Sequence, residues 1–264
     1  MEDKKLDLNK YGPWALVVGG SDGSGEAFVR RLAAQGFKVV IAARRPEPLN
    51  ALADDLRAQG AEIRTVSVDM VKPDALDRVR AVTDDIEVGL LVYNCGVVGG
   101  KACDFVKQDT QQYRDYIALN VTGQADFSHY FGGLMCDRGR GGIILTGSTG
   151  SFIGSSNLAV YCGVKAFSRV FSEGLWLECE KYGVDVLHFA LTLTDTPTNR
   201  RLQVNVSAGQ SGDEAARVAL NNIANGPLVI AGGEKQLAGA MQRSLLTGRA
   251  DLVRTWAIKD TGKT

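Results

Sequence analysis

Apolar and polar positions along the chain fall into two alternating patterns. Short continuous apolar runs read as strands buried on both faces: WALVV from Trp14, KVVIA from Lys38, VGLLVYN from Val88 and GIILTG from Gly142. EIRTVSV from Glu62, VDVLHFA from Val184 and PLVIA from Pro227 are weaker runs of the same kind, giving about seven strands. Between them, stretches such as GEAFVRRLAAQG, PLNALADDLRAQG and PDALDRVRAVTDD repeat apolar residues three and four apart, with glycines where C-caps belong. Strand and helix alternating at this rhythm imply parallel pairing through right-handed crossovers. The expected fold is α/β, a doubly wound parallel sheet with helices on both faces.

No linker, low-complexity tract or internal repeat divides the 264 residues, so one domain spanning 1–264 is expected. Residues 1–11 read as a charged N-terminal tail. The polar, aperiodic stretch 194–214 reads as a long substrate loop able to act as a lid. Thirty basic and thirty acidic residues cancel, and no basic run appears, which argues against a nucleic-acid or membrane surface and for a small-molecule partner. With no apolar run near the roughly 18 residues of a membrane span, a soluble, cytoplasmic protein is expected. Five scattered cysteines without CxxC spacing, and two histidines, give no metal site; free thiols are expected.

The first strand runs into VGGSDGSGE, which sets Gly19, Gly23 and Gly25 in a G-x-x-x-G-x-G spacing. Lacking Cβ atoms, these glycines let the backbone approach a pyrophosphate at a helix N-terminus, with Ser21, Asp22 and Ser24 between them as neighbouring contacts. The second strand ends in Ala43, Arg44 and Arg45 where NAD-binding sheets usually carry an acid. An arginine fork suits a 2′-phosphate, so NADP(H) is expected ahead of NAD(H). Asp22 opposes that reading, because its charge would repel the phosphate.

With these features in view, the chain resembles the short-chain dehydrogenase/reductase family over roughly residues 12–230, in its simple, single-domain, Rossmann-like form. The family's T-G-x-x-x-G-x-G falls on Val18–Gly25, with valine in the threonine position, and its Y-x-x-x-K falls on Tyr161 and Lys165 in YCGVK. The family serine, 13 residues before the tyrosine, falls on Ser148, and the asparagine of the central helix on Asn120. An adenine-side aspartate is matched by Asp69, followed by Met70. Of the N-N-A-G turn only Asn94 and Gly96 match, Tyr93 and Cys95 being departures. The familiar P-G is replaced by Leu191 and Thr192, while Thr196 and Pro197 fit the T-P that follows.

The resemblance implies a carbonyl reductase or alcohol dehydrogenase. Tyr161 would exchange a proton with the substrate oxygen, Ser148 would hydrogen-bond that oxygen, and Lys165 would hold the nicotinamide ribose. Asn120 would support a water leading to Lys165, and Thr194 and Thr196 would hold the carboxamide. A phenol titrates near about 10, and a lysine cation four residues on along the same helix face is expected to lower that value. The family also implies a homodimer or homotetramer, for which Val170, Phe171, Leu175 and Trp176 offer an apolar face, though a core stripe explains them equally. Phe152, Ile153, Leu202 and Val204 point to an apolar substrate. Two alternatives stand beside this reading: a carrier-linked 3-oxoacyl reductase, with Arg200 and Arg201 as the basic patch, and a catalytically silent NADP(H)-binding protein. His129 and His188 read as structural, and Cys162 as a small core residue.

Overall fold

The structure, a computed structural model, describes residues 4–96 and 103–256. Among the described residues there are nine strands: β1 (Trp14–Val18), β2 (Lys38–Ala43), β3 (Ile63–Ser67), β4 (Val88–Tyr93), β5 (Gly141–Ser148), β6 (Val184–Leu191), β7 (Thr194–Asp195), β8 (Gln210–Ser211) and β9 (Leu228–Ile230). Seven form one parallel sheet in the order β3-β2-β1-β4-β5-β6-β9, and β7 pairs with β8 alone. The helices are α1 (Leu8–Tyr11), α2 (Gly23–Ala34), α3 (Pro46–Ala58), α4 (Ala75–Arg80), α5 (Thr110–Ile117), α6 (Gly123–Arg138), α7 (Ala159–Glu180), α8 (Pro197–Arg201), α9 (Gly212–Asn221), α10 (Gly233–Arg243) and α11 (Arg249–Trp256).

Strand side chains alternate between two cores, as a period of two requires. Ala15, Val17, Val39, Ile41, Leu90 and Val92 face α2, α3 and α9, whereas Leu16, Val18, Val40, Leu91, Tyr93 and Leu145 face α4, α6 and α7. Both faces are covered, which is why these strands read as unbroken apolar runs. Strand order reverses between β1 and β4, so the carboxyl ends of these neighbours splay around a crevice.

Four expectations need correction. Residues 4–11 are not a loose tail: Leu6 and Tyr11 are buried, α1 lies under the sheet, and the Tyr11 hydroxyl and Lys10 Nζ both meet Asp185. The third predicted helix is short, ending at Arg80. The 194–214 stretch is not a structureless loop, since Thr196 caps α8 by accepting from the Asn199 N–H at 3.2 Å and β7 pairs with β8. Lastly, the helix carrying Asn120 is interrupted, with a π-turn over Ala118–Thr122 between α5 and α6.

Candidate active site

The glycine turn follows β1 and opens α2. Gly19 has φ +80°, and a Cβ on Gly25 would fall inside the Gly19 carbonyl, so the turn closes only with glycine there. Asn94, from the end of β4, braces it: Ser24 Oγ donates to Asn94 Oδ1 at 3.1 Å and Asn94 Nδ2 to the Gly19 carbonyl at 3.4 Å. The result is a backbone cradle at the N-terminus of a twelve-residue helix. At the end of β2, Arg44 is exposed beside it, while Arg45 Nη2 pairs with Asp22 Oδ2 at 2.6 Å. Arg201 Nη2, from α8, reaches the same oxygen at 3.1 Å. The charge of Asp22 is therefore matched by two guanidiniums, and its expected opposition to a phosphate falls away.

Beyond the turn, β5 ends on Ser148, whose Oγ accepts from the Gly150 N–H at 3.0 Å. Tyr161, in the first turn of α7, shares a hydrogen bond with Ser148. One turn further, Lys165 is buried with 3% exposure, and its Nζ approaches the Thr146 carbonyl at 3.5 Å. The expectation that this cation holds the phenol low needs revision. Desolvation pushes the Tyr161 phenol above its ordinary value, with the Ser148 hydrogen bond pulling back. Desolvation also draws Lys165 down to about 8, Cys95 partly offsetting it. Lys165 Nζ stands 5.9 Å from the Tyr161 ring centroid, and the cost of removing both groups from water exceeds their mutual support.

Asn120 is fully buried in the π-turn. Its Nδ2 donates to the Tyr116 carbonyl at 3.0 Å, and its Oδ1 has no protein partner among the described residues. A Cβ on Gly96 would collide with Lys165 Nζ and stand 3.2 Å from Asn120 Oδ1, so both atoms converge on this one glycine. An orphaned buried acceptor beside a buried ammonium calls for a bridging water.

These groups share one cleft of about 520 Å³. Gly19, Ser21, Asp22, Gly23, Ser24, Arg44, Arg45, Asp69, Met70, Asn94, Gly96, Ser148, Tyr161, Lys165, Thr194 and Thr196 all line it. Gly25 packs behind the turn and Asn120 lies beneath the floor. Arg201, Thr146 and Thr192 also line the cleft; sequence reasoning gave them no cofactor role, because only the folding back of α8 and the register of β5 bring them there. Of the four residues taken to line an apolar pocket, Leu202 alone does so, while Phe152 and Ile153 are buried. Arg200 forms a two-pronged pair with Asp195 at 2.6–2.7 Å, so neither arginine of the supposed carrier patch stands unpaired.

His188 is buried in β6 against Gly147, with Nδ1 3.4 Å from Ser168 Oγ, and desolvation draws it down to about 3. His129 is exposed on α6, and Cys162 is buried. The five cysteines are free. Among the described residues no acid, cysteine or histidine cluster could hold a metal, and no helix is long and apolar enough to cross a membrane.

A family model described as short chain dehydrogenase matches residues 13–206. The chain belongs to the short-chain dehydrogenase family. It is an oxidoreductase of the alcohol and carbonyl type. Among its relatives in that family is a 7beta-hydroxysteroid dehydrogenase of Collinsella aerofaciens, 33% identical over 215 residues, covering 80% of this chain and 79% of that protein. A very-long-chain 3-oxoacyl-CoA reductase of Aspergillus oryzae is 31% identical over 186 residues, 68% of this chain but 54% of that protein. Among solved structures, one of a 7beta-hydroxysteroid dehydrogenase superposes with a TM-score of 0.84 at 26% identity, covering 94% of this chain and 98% of that one. A short-chain dehydrogenase of Sphingobium yanoikuyae in complex with NADPH gives 0.79 at 24% identity, covering 96% and 99%, and shares the fold.

Proposed function

We propose that this short-chain dehydrogenase is an NADP(H)-dependent reductase of an apolar ketone, or the corresponding secondary-alcohol dehydrogenase. The observation that carries the reading is a single cleft with a glycine cradle and three arginines at one end and Ser148, Tyr161 and Lys165 at the other. Arg44, Arg45 and Arg201 favour a cofactor bearing a 2′-phosphate. Gly19, Gly23 and Gly25 would pass the pyrophosphate onto α2, with Asp69 and Met70 at the adenine and Thr194 and Thr196 at the carboxamide end. Bound NADPH supplies the hydride.

The chain's own residues handle the oxygen. Ser148 Oγ donates to the substrate oxygen and stabilises the negative charge that develops there. Tyr161 delivers its proton to that oxygen, and its raised pKa keeps it protonated at neutral pH, which suits reduction. Lys165, still mostly charged at pH 7, supports the phenolate left behind, and Asn120 Oδ1 would hold a water through which the lysine end is reprotonated.

The relatives suggest a substrate class: a bulky, ring-bearing apolar alcohol or ketone such as a steroid, with Leu119, Leu191 and Leu202 as walls. A 3-oxoacyl thioester is a second reading, favoured by the fungal reductases among the relatives. The outer side of α7 exposes an apolar groove with Phe167, Val170 and Leu175, while Trp176 turns inward toward Gly226. A second copy of the chain is the proposed occupant, giving a homodimer or homotetramer.

NADPH consumption over steroids, aromatic ketones, diketones and 3-oxoacyl thioesters, on protein whose mass is read by light scattering, tests these points together. Ring ketones are expected to turn over fastest, and Tyr161→Phe to lose about 10²–10⁴-fold in kcat while still binding NADPH. An unchanged Tyr161→Phe rate, or no turnover across the panel, would sink the reading; a monomer would remove the α7 interface.

A further inference from the structure

The departure at Tyr93 has a structural counterpart in the π-turn. Tyr93 ends β4 with no exposure, and its hydroxyl donates to the Leu119 carbonyl at 2.8 Å. Leu119 lies in the π-turn, one peptide before Asn120. A π-turn breaks the regular i to i−4 ladder and leaves carbonyls in need of other donors. Here the phenol is that donor. Burial pushes its pKa well above the usual value, so it remains a donor throughout the working pH range.

Two further observations place Tyr93 at a junction. Gly123 leaves room for its hydroxyl, since a Cβ there would collide with Oη, and Phe127 packs edge-on to its ring at 5.5 Å between centroids. Its main-chain carbonyl accepts from Thr146 Oγ1 at 3.2 Å, and the carbonyl of that same Thr146 is the one Lys165 Nζ approaches. One residue therefore braces the asparagine segment with its side chain and the lysine pocket with its backbone.

We infer that Tyr93 is a positioning residue: its hydroxyl fixes the π-turn so that Asn120 Oδ1 and Lys165 Nζ converge beside Gly96. This rests on the carbonyl and alcohol chemistry proposed above and adds a member to it. Among the described residues Tyr161, Cys95 and His188 are the other titratable groups facing Lys165. If the Asn120 acceptor drifts, the lysine cation loses support and sheds its proton at lower pH, so the phenolate of Tyr161 forms only at higher pH.

Tyr93→Phe keeps the ring and removes only the hydroxyl. The expected result is a fall in kcat for alcohol oxidation of roughly tenfold at pH 7, with the rate profile displaced to higher pH. KM for the nucleotide is expected to stay within about twofold, because the glycine turn is untouched. Gly123→Ala, which crowds the hydroxyl from the other side, is expected to give the same displacement. Amide hydrogen exchange adds a readout that needs no substrate: residues 119–124 exchange faster in Tyr93→Phe, and the β1 and α2 amides do not. Unchanged exchange overturns the inference. Faster exchange with an unaltered pH profile in an active enzyme reduces Tyr93 to a packing residue and overturns it equally. Failure of the wild type on every carbonyl would strike the proposed function instead, and the exchange rates would still judge the brace.

Discussion

Behind Ser148 two buried nitrogen bases, Lys165 and His188, sit close enough that the charge of the first helps keep the second neutral. His188 is drawn from its ordinary 6.5 to about 3, chiefly by desolvation and then by Lys165 and Arg169. The folded protein thus excludes a proton that the unfolded chain takes up. Stability from this residue is complete above pH 6.5 and is lost as pH falls from there toward 3. Urea unfolding of the wild type and of His188→Gln between pH 7 and 4 is expected to differ in slope by up to about 1.4 kcal/mol per pH unit, the variant being flatter. Equal slopes would show that His188 takes no part. The sequence supported a structural role for His188 because no acid or cysteine partner lay at useful spacing. It could not show the ring seated against Gly147, since that contact depends on the register of β5 with β6.

At the scale of elements, α8 ties the far side of the cleft to the glycine turn through Arg201 and Asp22. In the proposed cofactor complex a 2′-phosphate would compete with Asp22 for the same arginine, which lines the cleft beside Arg44 and Arg45. Arg201→Ala is expected to raise KM for NADPH by about three- to tenfold and to alter NADH use by less than twofold. A loss shared equally by both nucleotides would remove Arg201 from the phosphate site. Nothing in TDTPTNRRLQ announced this, because α8 is ordered by a threonine cap, a proline and a two-residue ladder and carries no apolar period. The strands β1, β2, β4 and β5 were legible for the opposite reason: buried on both faces, they can hardly be anything but apolar. The π-turn left no mark either, since ALNVT contains neither proline nor glycine. The candidate residues that share the cleft could be picked out by spacing, while the reversal of the expected Tyr161 shift came from burial, which spacing does not report.

Across the whole molecule, the two ends of the sheet are held very differently. At the amino ends of the strands the first described segment crosses several elements: the Lys4 N–H meets Asn221, the Leu6 N–H meets Gln35, and α1 lies against β4 and β5 with Tyr11 and Lys10 fastened to Asp185. At the carboxyl ends Asn94 and Tyr93 brace the glycine turn and the π-turn, while α8 at the rim is fastened by largely exposed ion pairs, Arg201 with Asp22 and Arg200 with Asp195. Exposed pairs are individually weak and screened by salt. Hydrogen exchange is expected to be slowest in β4, β5 and β6 near α1 and fastest in α8 and its flanks, and raising salt should widen that gap; a uniform pattern would contradict it. The protein is built like a pair of tongs, riveted at the handle and sprung at the tips. Small motions at the rim would leave the strand ends that line the cleft in register.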